Sequence, residues 1–280
     1  MSRDEAAGDA WRLADAYAQE RAAARENAPV YDEAYETPYW TSERKSFVDA
    51  FARHAARRGI DVRTARILDV GTGTGNLLAR LRDAGARKLV GADISEEMLA
   101  IARRKFPDVE FLVGPIEETR APATFDAAVG FSVLHHLPDL GLFFDWLATT
   151  LRPGGVFAFS DGNAKSVLLH ARRRWLVWGS VYPVHKPMRL LNRSRLARVP
   201  EMHEPRFYSE IHRALTAEEL TGALPPTLEA STFSRGILAP TFNNALVDRP
   251  IDGAILRAAR IIDRVLPFEG DALTIHGARR

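Results

Sequence analysis

The stretch Ile67-Leu68-Asp69-Val70-Gly71-Thr72-Gly73-Thr74-Gly75-Asn76 decides the fold, because an apolar strand runs directly into a glycine-dense turn. Glycines at 71, 73 and 75 leave Asn76 where a dinucleotide-binding GxGxxG loop has its third glycine, which weakens a pyrophosphate reading. Asp69 stands just before the turn, where a carboxylate attracts an ammonium and repels a phosphate. The loop therefore suits an amine-bearing ligand better than a phosphate.

Working outward, strands and helices alternate from Ala65 at the rhythm of βαβ units, which implies a parallel sheet covered on both faces. The pattern predicts strands over Arg66–Val70, Lys88–Ala92, Val109–Val113, Phe125–Phe131 and Gly155–Ser160. Helices are predicted over Asn76–Ala84, Ser95–Lys105 and Leu140–Leu151, the second capped by Ser95 with Glu96 and Glu97 in its first turn. Upstream, Asp9–Glu26 is alanine-rich and amphipathic, Pro29 and Pro38 bracket an aromatic run, and Thr41 is expected to cap a helix carrying Phe47, Val48 and Phe51 on one face and ending at Gly59. Downstream, Thr216 opens another capped helix, and Thr227–Ser234 and Ala272–Gly277 are the last two strands, flanking a helical insertion around Ile255–Val265. The fold class is α/β: a Rossmann-like, doubly wound, seven-stranded and mostly parallel sheet.

Four ordered pieces carry a resemblance: the loop above, then Val90-Gly91-Ala92-Asp93-Ile94-Ser95, then Phe125-Asp126-Ala127-Ala128-Val129 with Leu134-His135-His136-Leu137, then Leu151-Arg152-Pro153-Gly154-Gly155. In this order and spacing, over about Ile67–Asp161, the chain resembles a class I S-adenosylmethionine (SAM)-dependent methyltransferase of the small-molecule type. The resemblance implies SAM as cofactor and S-adenosylhomocysteine (SAH) as product. It implies that the glycine loop meets the amino-acid end of SAM through Asp69, Gly71, Thr72, Gly73, Gly75 and Asn76. Asp93, 18 positions after Gly75, is the acid that accepts both ribose hydroxyls; the bland alternative is a helix cap. Ile94, Met98, Pro115, Ile116 and Glu117 are expected around the adenine, with Phe131 and Ser132 completing the pocket. Pro115 departs from the family, standing where many members carry an acid for the adenine amine, and it offers no amide donor; Ile94 and Ile116 would sandwich the base and Glu117 meet its polar edge.

His135 and His136 follow the fourth strand, on the side facing the methyl group in this fold. Either is a candidate general base, since an imidazole titrates near neutrality; alternatively the pair only lines the pocket, proximity being sufficient for transfer to an activated acceptor. No Asn-Pro-Pro-Tyr-like tetrapeptide occurs there, which counts against methylation of nucleic-acid bases. Candidate acceptor contacts are Tyr31, Tyr35 and Trp40 near the N-terminus, and Trp175, Trp178, Tyr182, His185 and Tyr208 in an insertion rich in Arg, Trp and Pro. That insertion, Ala164–Arg213, holds eleven Lys or Arg against three acids, an excess of +8 in a chain whose formal charge is +2. It reads as a lid over an aromatic or anionic acceptor, as an interfacial helix touching a membrane weakly, or as a helix packed on the core with arginines in solvent.

With 280 residues, 46% hydrophobic and 26% charged, the chain has the composition of an ordinary globular protein. The absence of cysteine excludes disulfides, thiolate zinc sites and a cysteine nucleophile, and with it pyrimidine C5 methylation through a cysteinyl adduct. No metal-ligand constellation stands out, so a metal-independent reaction is expected. No secretory segment or long apolar span is visible, so a cytoplasmic location is expected. The expected organisation is an N-terminal helical cap (1–60), the SAM-binding core (61–162), a basic and aromatic lid insertion (163–215), and the C-terminal part of the sheet with a second helical insertion (216–280). The function expected is methyl transfer to O, N or C of a small organic molecule, in specialised metabolism and without a nucleic-acid partner. The alternatives are a lipid or isoprenoid methyltransferase at a membrane surface, an RNA methyltransferase, or a catalytically silent scaffold.

Overall fold

The computed structural model describes residues 3–36, 38–119, 124–165, 214–235 and 272–280. Trp175, Trp178, Tyr182, His185 and Tyr208, the basic insertion beyond 165 and the segment Ile255–Val265 lie outside the described residues. The sheet and its helices belong to one compact unit, Met1–Gly162, Ser209–Phe233 and Leu273–Arg280.

Strands β1 (Arg66–Val70), β2 (Lys88–Asp93), β3 (Glu110–Val113), β4 (Phe125–Phe131), β5 (Leu151–Gly162), β6 (Leu228–Arg235) and β7 (Ala272–Arg279) form one sheet in the order β3-β2-β1-β4-β5-β7-β6. Pairings β1–β2, β1–β4, β2–β3 and β4–β5 are parallel. On β7, Thr274 contacts Ser160 while Arg279 donates to the Leu151 carbonyl, so residues rising along β7 meet residues falling along β5 and the two run antiparallel. The chain reverses its direction of growth between β1 and β4. Loops leaving these neighbours diverge to opposite faces, which opens a crevice at their carboxyl ends.

The alternation of each strand builds both layers of the core. Leu68, Val70, Ala128, Phe157 and Phe159 point into one cluster with α6 (Leu140–Thr150); Ile67, Ala127, Val129, Val156 and Ala158 point into the other, with α4 (Asn76–Asp83). The N-terminal segment, read as a cap, divides. Helix α3 (Pro38–Arg57) buries Phe47, Val48, Phe51 and Ala55 in the second cluster, whereas α1 (Arg3–Asn27) and α2 (Tyr31–Tyr35) reach the residues at the carboxyl ends of the strands. Thr41 does not cap α3: the helix begins three residues earlier, at Pro38, whose fixed φ and missing N–H suit a first helical position. The remaining differences are at boundaries. Leu151-Arg152-Pro153-Gly154-Gly155, which the predicted boundaries leave between a helix ending at Leu151 and a strand starting at Gly155, is the bulged beginning of β5, with Leu151 opposite Phe125 but Val156 already opposite Ala127.

Candidate active site

The loop after β1 turns through three glycines with positive φ, at 71, 73 and 75. Gly71 has φ 65°, and a Cβ there would lie 2.3 Å from Val133 Cγ2, so side chains are excluded by both backbone and neighbour. Gly73, at φ 53°, would place its Cβ 3.8 Å from the ring of Tyr31. The Thr72 amide donates to the Ala92 carbonyl (2.9 Å) and the Gly75 amide to the Thr72 carbonyl (2.8 Å), which closes the turn against β2. Gly75 is then the N-cap of α4, presenting a helix N-terminus to the crevice.

Asp69 lies beneath the loop, 1% exposed. Its Oδ2 accepts from the Thr72 hydroxyl at 2.7 Å, while Oδ1 has no hydrogen-bond partner among the described residues. Burial pushes this carboxyl up to about 7, opposed by the Thr72 bond and by the charge of buried Arg44. Thr72 thus holds Asp69. Asn76 is similarly engaged: its side-chain oxygen accepts from Thr74 and from Lys105, both at 3.2 Å, and Lys105 is paired with Asp32 at 2.6 Å. Thr74 also donates to Asp32, so this cluster fastens the segment entering α2 onto the glycine loop.

Asp93 ends β2 with its Oδ2 accepting from the Gly73 amide (2.8 Å) and its Oδ1 from the Ser95 amide (2.9 Å). The cap of α5 (Glu96–Lys105) is Ser95, whose Oγ accepts from the Met98 amide. Asp93 is therefore not the helix cap; burial and the charge of Glu20 raise its carboxyl against the restraining amide bonds from Ser95, Gly73 and Ile94. Around the next strand, Ile94 is half-buried, Ile116 packs into the cluster holding Val90 and Ala92, and Met98 is buried. Pro115 precedes a 3₁₀ turn, Ile116–Glu118. Glu117 Oε2 accepts from the Tyr17 hydroxyl of α1 at 2.8 Å, and its Oε1 is buried without a partner among the described residues. Burial raises both the Glu117 carboxyl and the Tyr17 phenol, which keeps Tyr17 protonated as donor.

Across the crevice, Phe131 ends β4 and packs edge-on against Trp40 and Phe47 of α3. Ser132 adopts φ 56°, the one non-glycine residue with positive φ among the described residues, and its amide donates to the Ser160 carbonyl at 2.7 Å. This strained residue turns the chain into the short helix Leu134–His136. His135 Nδ1 stands 2.6 Å from Asp161 Oδ1, and Asp161, buried at the end of β5, also accepts from the amides of Gly162 (2.8 Å) and His135 (3.3 Å). A carboxylate only accepts, so Nδ1 carries the proton and the neutral ring's lone pair is on Nε2. Burial works against the imidazolium, but the neighbouring Asp161 charge outweighs it and raises His135; Asp161, despite its own burial, is held below its ordinary value by the imidazole. His136 Nδ1 is 2.8 Å from Glu20 Oε2 on α1, and the two imidazole rings lie 4.0 Å apart. Among the N-terminal aromatics, Tyr31, Tyr35 and Trp40 form a chain of ring contacts at 4.6 and 5.9 Å, and Trp40 continues it to Phe131.

The architecture agrees with the comparisons. A family profile described as a methyltransferase domain matches residues 39–203. The chain belongs to this family of SAM-dependent methyltransferases. It is 38% identical to a demethylmenaquinone methyltransferase of Chlorobaculum tepidum over 110 residues, covering 37% of this chain and 43% of that one. It is also 32% identical over 129 residues to a probable S-adenosylmethionine-dependent methyltransferase of Mycolicibacterium smegmatis, covering 46% and 47%. The chain thus spans about half the length of the curated relatives it matches. A SAM-dependent methyltransferase from Clostridium acetobutylicum shares the fold, with a TM-score of 0.53 at 15% identity, covering 91% of this chain and 98% of its own.

The donor set fits SAM, the family's cofactor. The ligand carries one ammonium, one carboxylate, two ribose hydroxyls and an adenine amine. The groups available to match these are the Asp69 oxygen without a partner among the described residues, the helix N-terminus at Gly75, the Asp93 carboxylate and the Glu117 oxygen without a partner among the described residues. Four participants escaped sequence reasoning: Tyr17, Glu20, Arg44 and Asp161. Asp161 carried a usable signal, an acid at the carboxyl end of a parallel strand. Glu20, one acid among several in an alanine-rich helix, carried none.

Proposed function

We propose that the protein transfers the methyl group of SAM to oxygen or acidic carbon of a small organic acceptor, with His135 as general base. The observation that carries this reading is the 2.6 Å pairing of His135, just after β4, with Asp161, buried at the end of β5. Bound SAM supplies an electrophilic methyl on a sulfonium. Asp93 holds the ribose hydroxyls, Glu117 accepts from the adenine amine, and Asp69 receives the ammonium. His135 takes the acceptor's proton on Nε2, and Asp161 stabilises the imidazolium that results. Curated relatives named as demethylmenaquinone, trans-aconitate and ubiquinone-biosynthesis methyltransferases support a small-molecule rather than a macromolecular acceptor. Among the described residues no helix is long and apolar enough to cross a membrane.

Two measurements test the proposal. Calorimetry should show binding of SAM and SAH, and Asp93→Ala should weaken SAH roughly 10²-fold, as expected for two lost hydrogen bonds to a charged group. Labelled methyl should pass from SAM to members of a panel of small phenols, enols and hydroxy acids. Absence of SAM and SAH binding, or affinity indifferent to Asp93→Ala, defeats the cofactor assignment.

A further inference from the structure

The turn that carries Glu117 is braced without help from the N-terminal helices. Its backbone closes through the Glu118 amide on the Pro115 carbonyl (3.2 Å) and the Thr119 amide on the Ile116 carbonyl (3.1 Å). The Thr119 hydroxyl donates to the Pro115 carbonyl (2.8 Å), and the Trp146 indole of α6 donates to the Thr119 carbonyl (3.1 Å). The Glu117 side chain is held differently. Tyr17, 8% exposed on α1, is the one other residue among those described that donates to its carboxylate, and at 2.8 Å it takes Oε2. Oε1 is left buried with no partner among the described residues. A carboxylate oxygen only accepts, so burying it is costly until a donor reaches it. The Gly114 amide donates to the Asp93 carbonyl at 3.1 Å, which starts the Glu117 turn beside the residue proposed for the ribose. With the proposed SAM reading as the basis, the missing donor is the adenine 6-amino group, because the base is joined to that ribose.

We propose that Tyr17 is a positioning residue that sets base selectivity: by occupying Oε2 of Glu117 it turns Oε1 toward the base, so that the site takes a 6-aminopurine and rejects a 6-oxopurine. An amine gives Oε1 the hydrogen it lacks, whereas a carbonyl oxygen at the same place sets two acceptors against each other. The braced turn fixes where the carboxylate starts, and the phenol fixes which way it points. Selectivity for the base therefore depends on a residue 100 positions upstream of the carboxylate that need not touch the ligand itself.

Calorimetry with SAH and with S-inosylhomocysteine, its 6-oxo counterpart, provides the test and needs no acceptor. The wild type should favour SAH roughly 10²-fold, as expected when a hydrogen bond to a carboxylate is replaced by an opposed pair of acceptors. Tyr17→Phe should cut that preference about tenfold by weakening SAH, because Glu117 is free to turn away from the base. A role confined to packing α1 would weaken both ligands alike. In Glu117→Gln, Tyr17 should hold the amide oxygen and so present the NH₂ to the base. This variant should therefore favour S-inosylhomocysteine, and adding Tyr17→Phe should erase the preference. Should Tyr17→Phe fail to fold, the preference of Glu117→Gln carries the test by itself. A wild type indifferent to the 6-substituent, an unchanged ratio in Tyr17→Phe, or a Glu117→Gln variant that keeps the wild-type preference overturns the inference and leaves the cofactor reading standing. A wild type that binds neither ligand overturns both.

Discussion

Asp69→Asn should make the ligand-free protein more stable at high pH and worse at holding SAM. Asp69 is 1% exposed, with its carboxyl raised from 3.8 to about 7 mainly by burial. A raised carboxyl binds its proton more tightly folded than unfolded, so its contribution is fullest below the unfolded value and is lost as pH rises from about 4 to about 7. At ~1.36 kcal/mol per unit, the wild type forfeits about 4 kcal/mol across that window, of which about 2–3 kcal/mol falls between pH 5 and pH 8. The amide does not titrate. It keeps the Thr72 bond through its oxygen but places an NH₂ where Oδ1 has no partner, a pH-independent penalty of about 1–3 kcal/mol. The variant should therefore be equal to or weaker than the wild type at pH 5 and more stable by about 1–3 kcal/mol at pH 8. Urea unfolding followed by circular dichroism at both pH values reads the difference. Parallel stability curves for the two proteins would refute the argument that Asp69 is a buried charge maintained at a cost in stability. Calorimetry on the same samples should show SAM weakened in the variant, as expected where a functional site is bought with stability.

Asp161→Asn should lower the pH at which His135 titrates, because the charge that raises the imidazole is gone, and NMR of the ring nitrogens should show it losing the exclusive Nδ1–H tautomer. The wild-type pair contributes stability above the lowered Asp161 value and below the raised His135 value, so this variant's deficit, about 1–2 kcal/mol, should be largest in mildly acidic solution and shrink in alkali; an unchanged His135 titration counts against the pairing. Gly71→Ala should cost about 2–4 kcal/mol in urea unfolding, combining positive φ with the 2.3 Å clash against Val133. Adding Val133→Ala should recover the steric part and leave the backbone part, and strict additivity of the two substitutions would show that the clash is not the cause.

The parts of this protein that sequence reveals are those whose cause is local. The β1 loop is legible because a tight turn beside a packed Val133 admits only glycine at 71, and the strands of the sheet are legible because burial on both faces demands continuous apolar runs. Even the Ser95 and Thr216 caps are visible, since each oxygen bonds an amide three residues on. The start of α3 is misread for a related reason: Thr41 has the chemistry of a cap, but Pro38 already supplies a compatible first residue. The acceptor side has no such local cause. His135 and His136 are conspicuous in the chain, but their carboxylates arrive from 26 residues downstream and 116 residues upstream, distances at which no periodicity operates.

That division follows the chemistry. SAM presents the same ammonium, ribose and adenine to every enzyme that uses it, so the elements that hold it recur as motifs within single strand–turn–helix units. An acceptor differs from one enzyme to the next, and its proton must be removed by a base whose tautomer is fixed from a distance. On the proposed function, the His135–Asp161 and His136–Glu20 pairs would meet that demand, drawing one carboxylate from β5 and one from a helix outside the Rossmann-like core. Because α1 also reaches Glu117 through Tyr17, a single helix contacts both Glu117, proposed for the adenine end of the donor, and His136, beside the proposed base. On the proposed function, donor binding and the geometry of the base are coupled through α1, so a change at Tyr17 or Glu20 should be felt on both sides of the transferring methyl.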